Sequence, residues 1–240
     1  MDAHVAARLL ALNREFYQTF SADFAQTRER LQSGVARIAR EVTGDVRLLD
    51  LGCGRGQLAR HLLAEKAPRL YLGLDLNLHL LHHARGGILP EAGHAHFACA
   101  ELSSGALPLG SAVRFEWVFL FAVLHHLPGL ELRRRVCQEA HRLLVPGGRL
   151  ALSNWQFSRS ERLRRRIVPW AEIGLGEQQV DPGDALLDWR RGGRGLRYVH
   201  QVEKAERRLL CREAGFREIE DFASDGEGGD LSDYAIWEAI

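Results

Sequence analysis

The sequence predicts an α/β fold in which a mainly parallel β-sheet is covered by helices on both faces. Apolar runs typical of strands alternate with helical patterns from about residue 46 to residue 154. The first run, residues 48–51, ends beside a carboxylate and leads through a glycine-rich turn into helical spacing over residues 57–63. A second run, residues 70–75, also ends at an aspartate. Two acidic side chains are therefore expected together at the carboxyl edge of the sheet.

Two amphipathic helices are predicted ahead of the sheet, over residues 2–20 and from about residue 27 onward. Their apolar residues recur at the spacing of one helix face. These residues are Leu9, Leu12 and Phe16 in the first helix, and Leu31, Val35, Ile38 and Val42 in the second. We therefore divide the chain into N-terminal helices at 1–45 and a cofactor-binding core at 46–154.

The alternation of strands and helices breaks between Ser158 and Gly195, a stretch rich in arginine and glycine. We assign residues 155–200 to an insertion over the carboxyl edge of the sheet, where ligands of open α/β sheets bind, so that it forms the substrate-side wall. Residues 201–240 predict a helix over about 203–214 and then two strands that close the sheet as a β-hairpin.

Length and composition fit a single enzyme-sized domain. The chain has 240 residues, 46% of them hydrophobic, and a formal net charge of +1, which allows one large core and disfavours a second full domain. Charged residues near the N-terminus and the lack of a long apolar run predict a cytoplasmic protein without a membrane span. The four cysteines are scattered without a C-x-x-C pair, so neither a disulfide framework nor a zinc site is predicted.

The acid and the glycines that follow the first strand predict a nucleoside pocket. Gly52, Gly54 and Gly56 allow the backbone to approach a ligand closely. Asp75 follows at about the distance of an acid that binds a ribose diol. A carboxylate at Asp50 would repel a pyrophosphate but attract a cation such as a sulfonium or an α-amino group. S-adenosylmethionine carries both of these cations.

Several motifs follow one another in a recognisable order. They are Asp50 to Gly54, Asp75, Ala100 to Leu102, Phe121 to His126, and Leu143 to Leu150. Over roughly residues 46–154, this order resembles the class I S-adenosylmethionine-dependent methyltransferases. The resemblance implies a Rossmann-like sheet of seven strands with helices on both faces, a closing antiparallel β-hairpin, and S-adenosylmethionine as the cofactor.

The same resemblance implies a role for each part of the cofactor site. The turn after the first strand would wrap the methionine moiety, Asp75 would bind the ribose hydroxyls, and Glu101 with Leu102 would lie beside the adenine. The cofactor-binding residues expected on this basis are Asp50, Gly52, Cys53, Gly54, Gly56, Asp75, Leu76, Glu101, Leu102, Phe121 and Ala122.

A narrower resemblance involves residues outside the cofactor motifs. They are Phe16-Tyr17, Phe24 to Arg28, Val123 to Leu127, Asn154-Trp155, Val168 to Trp170 and Arg197 to His200. Here the chain is similar to the tRNA wobble-uridine carboxymethyl methyltransferases, which form a methyl ester on 5-carboxymethyluridine. The resemblance implies tRNA and a small zinc-binding activator protein as partners, and neither DNA nor a membrane is expected. The insertion departs from the family pattern because it is short of lysine and contains several glycines.

This narrower resemblance implies a catalytic set of Arg28, His125, His126, Trp155 and Tyr198. Arginine can hold a carboxylate or phosphate in a fork, aromatic rings can stack on an extruded base, and a histidine can orient the methyl acceptor. Each residue also has a structural alternative, in which the arginine pairs with a glutamate, the rings pack in the core or at its rim, and the histidines make structural hydrogen bonds.

Two other functions stay open on the sequence. One is a small-molecule O- or N-methyltransferase whose insertion acts as a lid. The other is a non-catalytic cofactor-binding partner, which the intact Asp50, Gly52, Gly54 and Asp75 disfavour. Binding of a nucleic-acid substrate should weaken steeply as salt rises, whereas binding of a small-molecule substrate should not.

Clusters of arginine and histidine carry further alternatives. The arginines either bind phosphates or form solvated helix faces, and the run from Arg190 to Gly195 fits an RNA-binding tract or a hairpin turn. Three histidines of one predicted helix have metal-ligand spacing but no carboxylate nearby, so a solvated face is expected and no metal site is predicted. The clusters are Arg133 to Arg135, Arg162 to Arg166, Arg190 to Arg194, Arg207-Arg208, and His79, His82 and His83.

Overall fold

The computed structural model describes residues 1–21, 23, 30–66, 68–88, 94–110 and 112–240. Within these ranges it contains a seven-stranded mixed sheet and a separate three-stranded antiparallel sheet. The strands are β1 (Arg47–Leu51), β2 (Leu70–Asp75), β3 (Ala95–Cys99), β4 (Phe115–Phe121), β5 (Leu144–Trp155), β6 (Ile167–Val168), β7 (Asp184–Trp189), β8 (Gly195–His200), β9 (Phe216–Ser224) and β10 (Ser232–Ala239). The large sheet has the order β3-β2-β1-β4-β5-β10-β9, with β10 antiparallel to both of its neighbours. The predicted seven strands and closing hairpin are thus present.

The central strands are buried on both faces, as expected for a parallel sheet that is covered on both sides. Alternate residues of β1 point into different core clusters, with Leu49 on one face and Leu48 on the other. The same alternation continues across the sheet in Trp237 and Ile236 of β10. Strands β1 to β5 run parallel, so their carboxyl ends meet at one edge.

Seven α-helices are defined in the described ranges. They are α1 (Ala3–Thr19), α2 (Ser33–Glu41), α3 (Gln57–Glu65), α4 (Leu78–Gly86), α5 (Leu130–Leu143), α6 (Glu161–Arg164) and α7 (Lys204–Glu213). The first helix agrees with its predicted range, whereas the second begins at Ser33 rather than near residue 27, and residues 24–29 lie outside the described ranges. In the part of the chain that is described, no helix has both the length and the apolar composition to cross a bilayer.

The insertion carries the small sheet, with the order β6-β7-β8. Its central hairpin pairs β7 with β8, and the segment from Arg190 to Arg194 forms the turn, as in the hairpin alternative. Leu186 and Tyr198 pack with residues of α1, while Leu187 and Val199 pack against Phe157. The sheet therefore has its own apolar contacts on both faces.

A buried network of ion pairs and hydrogen bonds connects the small sheet to the main domain. His200 of β8 contacts Asp184 of β7 at 2.7 Å and Glu206 of α7 at 2.8 Å. Glu206 also accepts a 2.6 Å hydrogen bond from Arg133 of α5, which donates to the carbonyl of Leu127 at 2.7 Å. Burial lowers the pKa of His200, but its hydrogen bonds to the two carboxylates outweigh burial and raise it overall.

Candidate active site

A cleft of about 320 Å³ opens at the carboxyl edge of the parallel strands. The ends of β1, β2 and β4 form its floor and sides, and α1 covers it. Every cofactor-binding residue expected from the sequence lies in its wall except Gly56, which is the N-cap residue of α3 and packs near Ala84. The wall residues among them are Asp50, Gly52, Cys53, Gly54, Asp75, Leu76, Glu101, Leu102, Phe121 and Ala122.

The turn after β1 needs glycine at Gly52. Its φ is +82°, and a Cβ there would lie 2.5 Å from the side chain of Val123. The amides of Gly52 and Cys53 both donate to the carbonyl of Leu74, at 2.7 and 3.0 Å. These bonds fix the turn against β2. At Gly54 a Cβ would meet nothing within 4 Å, so the backbone there faces open space.

Asp75 connects this turn with the start of α4. One of its carboxylate oxygens accepts from the amide of Gly54 and the other from the amide of Asn77, each at 2.8 Å. Burial raises the pKa of Asp75, although its backbone hydrogen bonds oppose that shift. A carboxylate oxygen has two lone pairs, so each can still accept from a ligand hydroxyl. The arrangement fits the predicted hydrogen bonds between the Asp75 carboxylate and ribose hydroxyls.

Asp50 is the second carboxylate of the cleft, and it is almost fully buried. Its Oδ2 atom accepts a hydrogen bond from the hydroxyl of Tyr71. Burial raises its pKa to about 7, with the Tyr71 hydrogen bond opposing and the charge of Asp75 adding to the shift. Burial also raises the pKa of the neighbouring Cys53 thiol, so this cysteine is not poised as a nucleophile.

Two further predicted residues mark the sides of the cleft. Glu101 accepts hydrogen bonds from Arg14 at 2.5 Å and from Ser103 at 2.7 Å. Ala122, directly after β4, adopts a left-handed φ of 57°, a conformation that costs roughly 1 kcal/mol for an L-residue with a side chain. Its amide donates to the carbonyl and hydroxyl oxygens of Ser153 at 3.1 and 3.0 Å, which stabilises this conformation. Local strain of this kind is common where a backbone shapes a ligand site.

Helix α1 forms the roof of the cleft, a role that the sequence did not reveal. The amide of Asn13 donates to the carbonyls of His126 and Tyr198 at 3.2 and 3.1 Å and accepts from the Tyr198 backbone at 2.8 Å. The Tyr17 hydroxyl lies 2.8 Å from Nε2 of His126, and Asn77 donates to the Tyr17 carbonyl at 2.7 Å. The signal was a buried asparagine on the apolar stripe of an amphipathic helix.

We expect Asn13→Ala to loosen this roof. The change removes three hydrogen bonds and leaves backbone groups of Tyr198 without their partner, which costs about 2 kcal/mol. Urea unfolding should show that loss, and hydrogen exchange should show faster exchange in α1 than in β1. The exposed residue Glu15 gives a control on the same helix, because Glu15→Ala should change stability by less than about 0.5 kcal/mol. Equal effects of the two substitutions would contradict the roof role.

The two histidines after β4 have different environments. His125 is 1% exposed, and its Nδ1 accepts a 3.1 Å hydrogen bond from the amide of Trp155. His126 lines the cleft and contacts Tyr17. A structural hydrogen bond therefore describes His125, whereas His126 is the histidine whose side chain can reach a ligand.

A buried arginine lies among aromatic rings next to the histidines. The guanidinium of Arg197 is 4.8 Å from the ring centre of Trp155, 5.5 Å from that of Phe16 and 5.8 Å from that of Trp189. The Trp155 ring in turn lies 6.1 Å from that of His125. Such stacked guanidinium groups keep their forked donors in a fixed plane.

Of the two remaining residues of the predicted catalytic set, Tyr198 lies within the described residues and Arg28 lies outside them. Tyr198 is fully buried, and its hydroxyl donates to Asp184 at 2.7 Å. Its ring packs in the apolar cluster beneath α1, as in the core-packing alternative. Arg28 and the motif from Phe24 to Arg28 lie outside the described residues. The catalytic roles of these residues stay predictions.

Many arginines of the predicted clusters pair with carboxylates. Arg133 and Arg207 are buried in ion pairs, so they cannot face an RNA backbone. Half-buried Arg134 pairs with Glu131, and the exposed members paired with acids are Arg165 with Glu161, Arg190 with Asp188, and Arg194 with Glu172. Arg162, Arg164 and Arg191 of the insertion are also exposed to solvent.

The histidines of α4 lie on an exposed helix face. His79 and His83 approach one another, with 3.2 Å between their Nε2 atoms. Among the residues that the structure describes, no group of three or more histidine, cysteine, aspartate or glutamate side chains is arranged to hold a metal ion.

Comparisons with known proteins show that this chain is similar in sequence to methyltransferases. Residues 49–150 match the family model described as a methyltransferase domain. The tRNA (guanine-N(7)-)-methyltransferase of Rubrobacter xylanophilus is 35% identical over 127 residues, which are 47% of this chain and 53% of that protein. The Bos taurus "Probable tRNA methyltransferase 9B" is 25% identical over 75% of this chain and 38% of its own length. The 27-O-demethylrifamycin SV methyltransferase of Amycolatopsis mediterranei is 28% identical over 87% and 79%. The chain thus spans about half or less of the first two relatives.

Solved structures share the fold at low sequence identity. An S-adenosylmethionine-dependent methyltransferase from Methanosarcina mazei aligns with a TM-score of 0.66 at 20% identity, over 85% of this chain and 97% of its own. A Haloferax volcanii methyltransferase in complex with the Trm112 activator gives 0.65 at 16%, over 94% and 96%. The amino pentose methyltransferase CalS10 from Micromonospora echinaspora, with bound S-adenosylmethionine, gives 0.63 at 17%, over 93% and 97%. The predicted Rossmann-like methyltransferase fold is confirmed.

Proposed function

We propose that this chain transfers a methyl group from S-adenosylmethionine to the carboxylate of 5-carboxymethyluridine at the wobble position of tRNA. The proposal proceeds from the match of residues 49–150 to a methyltransferase domain. The observation that carries this proposal is the buried guanidinium of Arg197, which stacks on Trp155. The Trp155 ring lies 6.1 Å from that of His125, and the His125 ring lies 4.2 Å from that of His126 in the cleft wall. The printed names of two relatives, both tRNA methyltransferases, support a nucleic-acid substrate.

The donor set of the cleft fits this cofactor. Asp50 offers a carboxylate to the cationic methionine end, Asp75 offers acceptors to the ribose, and Glu101 with Leu102 borders the expected adenine position. When bound, S-adenosylmethionine supplies a methyl group activated by its sulfonium centre. The protein therefore needs to hold and orient both reactants rather than to create a reactive group.

A carboxylate as methyl acceptor explains why a strong base is unnecessary. Its pKa is near 4, so at neutral pH it is already ionised and nucleophilic. What remains for the protein is to align it and to exclude water. The forked donors of Arg197 suit a carboxylate, Trp155 presents an aromatic face, and the contact between Tyr17 and His126 closes the roof. We keep Arg28 in this proposal as a second carboxylate or phosphate ligand.

The proposed tRNA surface is the insertion, residues 155–200. Its exposed arginines include Arg162, Arg164 and Arg191, which stand on the same unit as Arg197. Arginine side chains bind phosphates bidentately, and exposed ones keep that capacity. We also propose a small zinc-binding activator as a partner in the cytoplasm, since a Haloferax volcanii neighbour was solved with the Trm112 activator.

Transfer of labelled methyl from S-adenosylmethionine to total tRNA lacking its methyl esters tests the proposal, with and without an added activator. We expect label that mild alkali releases as methanol. Arg197→Met should lower transfer by about 100-fold through misplacement of the methyl acceptor, while cofactor binding and melting temperature show whether the variant is folded. Arg217→Met, exposed on β9 outside the insertion, is the control and should stay within about threefold of the wild type.

The other outcomes separate the alternatives. Label in tRNA that resists alkali would place the methyl group on a base or ribose and overturn the ester. Cofactor binding without transfer to tRNA, even with an activator, would favour a small-molecule O- or N-methyltransferase. That second candidate rests on the rifamycin relative, which aligns over most of both chains. Binding of tRNA that does not weaken as salt rises would also favour it.

A further inference from the structure

A buried tyrosine contacts the cofactor site from behind and has no part in the chemistry described so far. Tyr71 lies on β2 next to β1, with 0% exposure. Its hydroxyl donates to Oδ2 of Asp50, and its ring packs against Phe97 of β3 at 6.0 Å between ring centres. A buried tyrosine hydroxyl needs a hydrogen-bond partner. Here that partner is the carboxylate expected to meet the cationic end of the cofactor.

The hydrogen bond fixes the orientation of the Asp50 carboxylate. Oδ2 is held by Tyr71, whereas Oδ1 has no hydrogen-bond partner among the described residues, and Asp50 lines the cleft. A buried carboxylate with a single donor pays a large desolvation cost when it is charged. A cation that enters the cleft would remove that cost and favour the ionised form.

Among the described residues, few charged or titratable groups face the pair formed by Asp50 and Tyr71. Asp75 at the end of β2 adds a negative charge, and the thiol of Cys53 from the adjoining turn stays neutral because burial raises its pKa. Arg60 of α3 acts on the Tyr71 side, and its guanidinium donates to the carbonyl of Arg55 at 2.6 Å. Phe97 of β3 is apolar. The balance of charge at the pair is therefore negative toward the cleft.

We propose that Tyr71 is a positioning residue for the cofactor. Its hydrogen bond holds the carboxylate of Asp50 toward the cleft, so that cofactor binding near neutral pH is coupled to release of one proton from Asp50. This inference rests on the proposed function, since it requires S-adenosylmethionine to bind in the cleft. Tyr71 acts through Asp50 and contacts neither the cofactor nor the methyl acceptor.

The direction in which cofactor affinity changes with pH follows from the ionisation of Asp50. In the unliganded protein, part of the Asp50 population is protonated near pH 7, and binding of a cation requires the ionised form. Affinity should therefore rise with pH between about 6 and 8 and level off above that range, at up to tenfold per pH unit below the pKa. Removing the Tyr71 hydroxyl withdraws a donor that favours the ionised carboxylate, so the curve should shift toward higher pH.

Calorimetric titration with S-adenosylmethionine between pH 6 and 9, in buffers of different ionisation enthalpy, tests the inference. We expect wild type to release close to one proton per cofactor at pH 6. Tyr71→Phe should bind about tenfold more weakly near pH 7, and that difference should shrink as the pH approaches 9. Tyr234→Phe is the control, since Tyr234 is equally buried and donates to Asp225 at 2.6 Å, and neither of these two residues lines the cleft.

Each outcome is decisive. Wild-type protein that binds no cofactor at any pH would overturn the proposed function. A wild type that binds while Tyr71→Phe matches it, or is weaker by the same factor at every pH, would overturn the positioning role. If Tyr71→Phe does not fold, Asp50→Asn is the second variant, because proton release should then disappear. Persistent release in Asp50→Asn would reject Asp50 as its source.

Discussion

Replacing Asp75 by asparagine should reduce the affinity for S-adenosylmethionine by about 10- to 150-fold. One carboxylate oxygen accepts from Gly54 and the other from Asn77, so an amide nitrogen would have to face a backbone N–H at one of these positions. The loss of a charge-assisted hydrogen bond costs about 1.5 to 3 kcal/mol, and the ribose would lose an acceptor as well. Calorimetric titration with the cofactor measures the change directly.

The control for this substitution is another aspartate that accepts two hydrogen bonds. Asp233 receives them from the guanidinium of Arg159 at 2.7 and 3.0 Å, and it is outside the described wall of the cleft. Asp233→Asn should therefore bind the cofactor like wild type. An affinity of Asp75→Asn within threefold of wild type would show that the ribose acid has been assigned to the wrong residue.

Replacing Arg133 by methionine should lower the free energy of unfolding by about 3 kcal/mol. Its side chain is 2% exposed and pairs with Glu206, which is itself bound to His200. Removing one partner of a buried pair leaves the other charge without compensation, and the carbonyl of Leu127 loses its donor. For a chain of this size the expected fall in melting temperature is roughly 6 to 12 °C.

Arg134 provides the matched comparison on the same helix. It pairs with Glu131 on the surface, where such ion pairs contribute about 0 to 1 kcal/mol. Arg134→Met should therefore melt within roughly 4 °C of wild type. If Arg133→Met and Arg134→Met melted at the same temperature, the buried network would not be what fastens the small sheet to the main domain.

That Asp50 and Asp75 line one cleft was predictable from the sequence, because both lie at the ends of parallel strands. Asp50 and Asp75 are far apart in the chain, but parallel strands bring their carboxyl ends to one edge. The glycine-rich turn was equally readable, since its requirement for positive φ at Gly52 is local. The parallel sheet followed from the alternation of strands and helices, and the closing hairpin from its two apolar runs, whereas the order of the strands was not predicted.

The side of the cleft formed by α1 was much less predictable, because long-range packing decides it. Asn13 meets Tyr198 from the far end of the chain, so no local pattern could show that α1 covers the cleft. The predicted arginine clusters were ambiguous for the same reason. Arg133 and Arg207 were candidates for phosphate contacts, but both are buried with carboxylates from distant elements. The small sheet β6-β7-β8 was also missed, since its composition is typical of a loop.

The most direct test of the central claim is a crystal structure of the chain with S-adenosylhomocysteine. We expect the ribose hydroxyls within hydrogen-bond distance of the Asp75 carboxylate, the α-amino group beside Asp50, and the sulfur facing His126 and Tyr17 beneath α1. A ligand bound elsewhere, or one whose ribose lies away from Asp75, would contradict the assignment of the cleft.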